Sequence, residues 1–177
     1  MIAVRRARAR DAPGIAVVHV ATWRSAYAGL LPDEFLERLS VSRLTAQYDR
    51  SIRMGLGMHV AINAGDNVEP ALVGFTSARR SRSDRLGEGE VETLYVLDDW
   101  QNQGIGRALL RASGNLLAAL GCRSAYAWVL RANQAGFFYQ RLGGKRIATS
   151  MTNVGGEEIP QVAYSWDPIE TLLDVDA

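Results

Sequence analysis

The stretch VETLYVLDDWQNQGIGRALL (residues 91–110) limits the folding options more than any other part of the chain. An apolar run over residues 91–97 reads as a strand. It passes through an acidic turn to Gly104-Ile105-Gly106. From there Ile105, Ala108, Leu109, Ala112, Leu116, Ala119 and Leu120 recur at helical spacing until Gly121 stops the pattern. A strand must therefore feed a helix through a tight turn. Helix starts leave backbone N–H groups unpaired, and their dipole favours anions. Gly104 and Gly106 remove side chains where a backbone would approach an anion, and Arg107 adds a positive charge. A plain strand-to-helix turn accounts for such a glycine pair equally well. If a phosphate binds, two familiar cradles are disfavoured. A dinucleotide fingerprint needs glycine or alanine three positions after the second glycine, where Leu109 stands. A nucleoside-triphosphate loop needs Gly-Lys-Ser/Thr, which the sequence lacks.

Ahead of this unit, Ile2 and Val4 open a short strand. Asp11 is placed to cap a helix with Pro13 in its first turn, ending near Gly29. Pro32-Asp33-Glu34 restarts a helix carrying Phe35, Leu36, Leu39, Leu44 and Tyr48. Residues 58–63 and 71–80 read as a hairpin through Ala64-Gly65-Asp66-Asn67, and residues 81–90 as a polar loop. After the long helix come a strand over 123–130, a short helix that Asn133 can cap, and two strands around 145–151 and 159–166. The order β-α-α-β-β-β-α-β-α-β-β predicts a mixed α/β fold. Its sheet is mostly antiparallel, six- to seven-stranded, and flanked by about four helices. Residues 1–167 read as a single domain and 168–177 as an acidic tail that frays or packs loosely.

The 177 residues suffice to bury a core without staples, and the formal net charge of +1 gives no case for nucleic-acid or membrane attraction. One cysteine, Cys122, cannot form an internal disulfide, and no Cys/His spacing suggests a metal. No apolar run approaches the roughly 20 residues of a membrane helix. A cytoplasmic location is the expectation.

Gln101-Asn102-Gln103-Gly104-Ile105-Gly106 closely resembles the pyrophosphate-binding motif Gln/Arg-x-x-Gly-x-Gly/Ala of the GCN5-related N-acetyltransferases (GNAT). Residues 94–110 are similar to that family's strand, turn and helix in uninterrupted register. Residues 132–146 resemble its later Asn…Phe-Tyr-x-x-x-Gly segment, and residues 19–40 its amine-side helices. The likeness runs from Ile2 to Trp166. It implies a GNAT-like fold and acetyl transfer from acetyl-CoA, as cosubstrate, to an amine. By this resemblance the backbone of Gln101, Asn102, Gln103, Gly104, Ile105, Gly106 and Arg107 holds the CoA pyrophosphate. The Leu94-Tyr95-Val96 edge pairs with the pantetheine arm. An N–H near Leu94 or Tyr95 polarises the thioester carbonyl, a donor worth roughly 3–4 kcal/mol of barrier.

Glu90 stands where many members carry a glutamate and is the candidate base, directly or through water. Glu92 is expected on the same strand face. Tyr139 aligns with the tyrosine that protonates the CoA sulfur in the family, although Asn133 precedes it by six residues where many members have seven. Asn133 is expected to cap its helix and touch CoA. His19, Trp23 and Tyr27, four apart, share one helix face; Trp23 and Tyr27 are expected to wall the acceptor pocket. Cys122 reads as buried structure and Trp100 as a packing or CoA-flanking residue. Arg79, Arg80, Arg82 and Arg85 read as a solvated loop, or as a guide for an anionic acceptor or the adenosine phosphate of CoA. The expected activity is N-acetylation of a primary amine by direct attack in a ternary complex. The alternative is a non-catalytic acyl-CoA-binding module, and a nicotinamide oxidoreductase is disfavoured. A homodimer through the final strands is left open.

Overall fold

The computed structural model describes residues 1–65 and 70–174. Its elements run β1 (Ile2–Arg6), α1 (Ala12–Ala26), α2 (Asp33–Glu37), α3 (Val41–Arg53), β2 (Gly57–Asn63), β3 (Ala71–Arg80) and β4 (Gly89–Val96). There follow α4 (Ile105–Ala119), β5 (Ala125–Leu130), α5 (Ala135–Arg141), β6 (Lys145–Val154), β7 (Glu157–Trp166) and α6 (Glu170–Leu173). The strands form one mixed sheet in the order β1-β2-β3-β4-β5-β7-β6, with every neighbouring pair antiparallel except β4–β5. No described helix is long and apolar enough to cross a membrane.

Helices cover both faces. Phe75 faces α1 and α3, packed with Ile15, Val18, Tyr48 and Val60. Thr76, its neighbour, faces the opposite way and bonds the Ser113 hydroxyl of α4 at 2.8 Å. That alternation follows from the strand's two-residue repeat.

Several local expectations change. The single helix expected after Pro32 is two, because Ser40 interrupts it and accepts the Arg43 N–H through its hydroxyl at 3.3 Å. Asp11 precedes α1 but does not cap it. Its carboxylate turns back to the Arg5 guanidinium (2.7 and 2.9 Å) and the Arg8 N–H (2.7 Å). Those bonds hold its pKa below the usual carboxylate range. The polar stretch 81–90 ends early, since Gly89 and Glu90 already belong to β4. Asp66 and Asn67 of the expected hairpin turn lie outside the described residues.

The acidic segment after Pro168 does not fray over its described part. Ile169 and Leu172 are 3% and 0% exposed, and they join Trp166 in the core beside α4. Leu172 packs so tightly on Gly114 that a Cβ there would meet it at 2.3 Å. Two apolar residues at helical spacing outweigh the acidic composition around them.

Candidate functional site

β4 and β5 pair over only two residues each, Gly89 with Ala125 and Glu90 with Tyr126, and then part. The opening this leaves is edged by the rest of β4. The Leu97 N–H donates to the Val73 carbonyl at 2.9 Å, and this bond sets the phase of the β3–β4 ladder. In an antiparallel pair, hydrogen-bonded residues alternate with residues that turn their backbone groups away. Tyr95 therefore bonds β3, while Leu94 and Val96 direct theirs into the opening. Of the Leu94 and Tyr95 amides expected at a thioester, Leu94 is the one so directed.

A bulge then rearranges the side chains. Ser77 faces Thr93 and Ala78 faces Val91, leaving Glu92 as an extra residue in β4. Beyond it Leu94 and Val96 pack toward α4 with Leu109, and Thr93 and Tyr95 face α1. Glu90 and Glu92 both reach Arg79 of β3. The guanidinium donates to Glu92 in a very short contact and to Glu90 at 3.2 Å. The two glutamates thus share a face, as their two-residue spacing leads one to expect, and the bulge shifts the alternation only beyond Glu92.

At the far end of the opening, Asn102 (φ 60°) and Gly104 (φ 79°) take left-handed conformations that turn the chain into α4. No side chain caps α4, so the N–H groups of its first turn stay available. The two glycines serve different needs. A Cβ on Gly104 would meet nothing within 4 Å, so the position faces open space. One on Gly106 would meet the Phe138 ring at 3.2 Å, so this glycine admits α5. The glutamines brace the turn: Gln101 donates to the Val96 carbonyl and Asp98 (both 3.2 Å), and Gln103 to the Asp99 carbonyl (3.0 Å). Their side chains are committed to the loop itself. Trp100 packs with Ile105 and Leu109.

Aromatic side chains line the α1 side. The rings of His19, Trp23 and Tyr27 follow one another at 5.5 and 4.9 Å, as their four-residue spacing requires. Tyr95 joins them 5.3 Å from His19, and Phe35 lies 6.2 Å from Trp23. His19 Nδ1 bonds the Tyr48 hydroxyl at 2.7 Å, and burial pushes the histidine pKa down to about 4. That is too weak a base to hold a proton taken from an amine near neutral pH. The Trp23 indole N–H is buried without a partner among the described residues, close to the Tyr95 hydroxyl but outside bonding geometry.

Tyr27 is a tie as well as a wall. Its hydroxyl accepts from Asn133 Nδ2 at 2.8 Å, and Asn133 Oδ1 accepts the Ala135 N–H at 2.8 Å. Asn133 thus stands one residue before the cap position expected of it, which Gln134 occupies, and it ties the first residue of α5 to the end of α1. Tyr139, on α5, is 5% exposed, with its ring edge-on to Trp166 at 5.5 Å. Its hydroxyl makes no hydrogen bond among the described residues. Burial, then the nearby Tyr95 and Tyr27, raise its pKa, so it stays protonated at neutral pH.

The basic loop sits elsewhere. Arg80 donates to the Leu120 carbonyl at 2.9 Å, at the C-terminal end of α4, a full helix length from the phosphate turn. Neither it nor its neighbours can reach a group held at that turn. Cys122 is buried, and burial raises its thiol pKa. Among the described residues no His, Cys, Asp and Glu gather as a metal site.

The profile of the family described as "Acetyltransferase (GNAT) domain" matches residues 57–143, from β2 through α5. An uncharacterized N-acetyltransferase of Bacillus subtilis, YuaI, is 31% identical over 97% of this chain and 96% of its own. The chain belongs to the GCN5-related N-acetyltransferase superfamily. Solved structures agree on the fold of this acetyltransferase. A GCN5-related N-acetyltransferase from Rhodopseudomonas palustris superposes with TM-score 0.71 at 21% identity, over 93% of this chain and 94% of that one. The putative acetyltransferase yncA of Salmonella typhimurium, solved with acetyl-CoA, gives 0.66 at 20% identity over 98% and 94%.

Within the GNAT frame, three features escaped the sequence. The Arg79 clamp depends on β3–β4 register, the bulge adds a residue with no signature, and the His19–Tyr48 bond joins residues 29 apart. The run Arg79-Arg80 beside two glutamates was the only available signal for the first.

Proposed function

We propose that the protein transfers an acetyl group from acetyl-CoA to a primary amine by direct attack in a ternary complex. One observation carries this reading: an unpaired strand edge at Leu94 leads straight to an uncapped helix start, with a free tyrosine hydroxyl alongside. The open space at Gly104 fits a bulky anion at that helix start.

Acetyl-CoA supplies the acyl group as an activated thioester. The N–H groups around Gly104, Ile105, Gly106 and Arg107 hold its pyrophosphate, and the backbone of Leu94 and Val96 pairs with its amide-bearing arm. The Leu94 N–H is directed to polarise the reacting carbonyl. Glu90, supported by Glu92, takes the amine proton directly or through water, with Arg79 orienting both carboxylates. Tyr139 donates to the leaving sulfur. Burial raises the proton affinity of phenol and thiol alike, so the transfer stays balanced. Trp23, Tyr27 and Tyr95 present aromatic faces to the acceptor.

Release of free thiol from acetyl-CoA, measured over an amine panel, tests the proposal. Intersecting double-reciprocal plots and the absence of an acetylated enzyme by mass spectrometry are expected. CoA binding without thiol release for any amine would favour a non-catalytic acyl-CoA-binding module.

A further inference from the structure

The peptide unit between Thr93 and Leu94 follows directly on the bulge in β4, and bulges interrupt a ladder and sharpen its twist. A trans peptide points its C=O and N–H in opposite directions, so whatever fixes the Thr93 carbonyl also aims the Leu94 N–H. That carbonyl accepts the Thr76 hydroxyl at 2.8 Å. Thr76 Oγ1 lies 2.8 Å from Ser113 Oγ of α4, and both residues are 0% exposed. A hydroxyl carries a single hydrogen. Thr76 places its own on Thr93, so Ser113 is the donor in the second bond. The chain runs one way, from Ser113 to Thr76 to the Thr93 carbonyl, and ends at the Leu94 N–H in the opening. Linked hydrogen bonds polarise one another, and a bond to a peptide carbonyl draws electron density from the N–H of the same unit through its resonance. Two buried hydroxyls carry a desolvation cost that apolar residues would avoid, and this chain satisfies both.

We propose that Thr76 and Ser113 are positioning residues for acyl transfer: they aim the Leu94 N–H at the thioester carbonyl and strengthen it as donor to the developing oxyanion. The inference rests on the acetyl-CoA reading above and deepens it, because that reading names the donor but not what holds it. A donor aimed in advance needs no reorganisation as charge develops. With no exposure, neither side chain touches the cosubstrate, so the pair acts on rate and not on affinity. On the other face of β4 the Thr93 hydroxyl bonds Ser77 Oγ at 2.7 Å, a contact that leaves the carbonyl alone.

Infrared spectra of acetyl-CoA isotope-labelled at its acetyl carbonyl, bound to the full chain without amine, test this beside single-turnover thiol release with amine. The bound carbonyl band is expected at lower frequency than in free acetyl-CoA, and nearer the free position in Thr76→Val. The same variant should lose about fivefold in rate, with acetyl-CoA affinity within about twofold of the parent. Thr76→Ser keeps the hydroxyl and should restore both band and rate. Ser113→Ala should move the band part of the way and lower the rate about twofold. Ser77→Ala should leave the band in place. An unmoved band or an undiminished rate in Thr76→Val would overturn the inference, and so would an equal band movement in Ser77→Ala. If Thr76→Val does not fold, Ser113→Ala decides by the same two readouts. If the parent protein acetylates amines without any shift of the bound band, the Leu94 donor falls and this inference with it. If acetyl-CoA does not bind, the acetyl-CoA reading itself falls.

Discussion

The phosphate turn and the aromatic wall flank the same opening, and they are built in opposite ways. The turn is contiguous, glycine-bracketed and made of backbone: its glutamines brace the loop, and the N–H groups of the first turn of α4 have no side-chain cap. The wall is made of side chains from α1, β4 and α5, brought together from residues as far apart as Tyr27 and Asn133. Backbone sites tolerate changes of side chain but not of conformation. Side-chain sites depend instead on the particular groups and angles their residues supply.

The contrast should break first at Tyr139. Tyr139→Phe is expected to lower kcat by about a hundredfold, as loss of a general acid does, while acetyl-CoA affinity changes less than about threefold. Steady-state thiol release with parallel calorimetry checks both. An undiminished kcat would remove the residue from the chemistry. Gly104→Ala attacks the turn instead. The left-handed backbone penalises any Cβ by about 1–2 kcal/mol, and the methyl enters the space a pyrophosphate would fill. About a tenfold rise in the acetyl-CoA Kd with little change in kcat at saturation is expected.

A smaller effect is expected from pH. His19 is neutral when folded, with its pKa at about 4 against 6.5 for an ordinary histidine. Between those values the unfolded chain binds a proton that the folded chain rejects, so stability falls as pH drops through this window. His59, depressed by burial and then by Arg6, acts in the same direction. His19→Gln should recover about 1 kcal/mol of the loss at pH 5, allowing for partial exposure, as read from urea midpoints at pH 7 and 5. The smallest change is Tyr27→Phe. It removes the acceptor of the Asn133 amide at a cost of about 1 kcal/mol. Because the tie spans the opening, KM for the amine should move more than KM for acetyl-CoA.

Legibility in the sequence follows the same division. The turn could be read because its residues are adjacent and each glycine has a local reason. Strand and helix order could be read from periodicity, and the antiparallel hairpins from their turns. Tyr139, Tyr95 and Tyr27 were each singled out in the sequence, but that they lie near one another came only from the fold. The helix break at Ser40 was hidden by continuous helical spacing, and the docking of Leu172 by the acids around it. Arg79 appeared as one of four loop arginines until the β3–β4 register set it against Glu90.

The surplus residue in β4 has a consequence for how this strand tolerates change. Laid out as a regular strand, the same letters would put Leu94 and Val96 on the face of Glu90 and turn Tyr95 under α4. Deleting Glu92 alone would remove one carboxylate and leave Glu90, Thr93 and Tyr95 facing as they do now. Losing or gaining a residue between Thr93 and Val96 would exchange the two faces from that point onward. The segment thus behaves like text with one silent character: its removal leaves the message intact, while a shift anywhere downstream scrambles acid, aromatic ring and edge amide together.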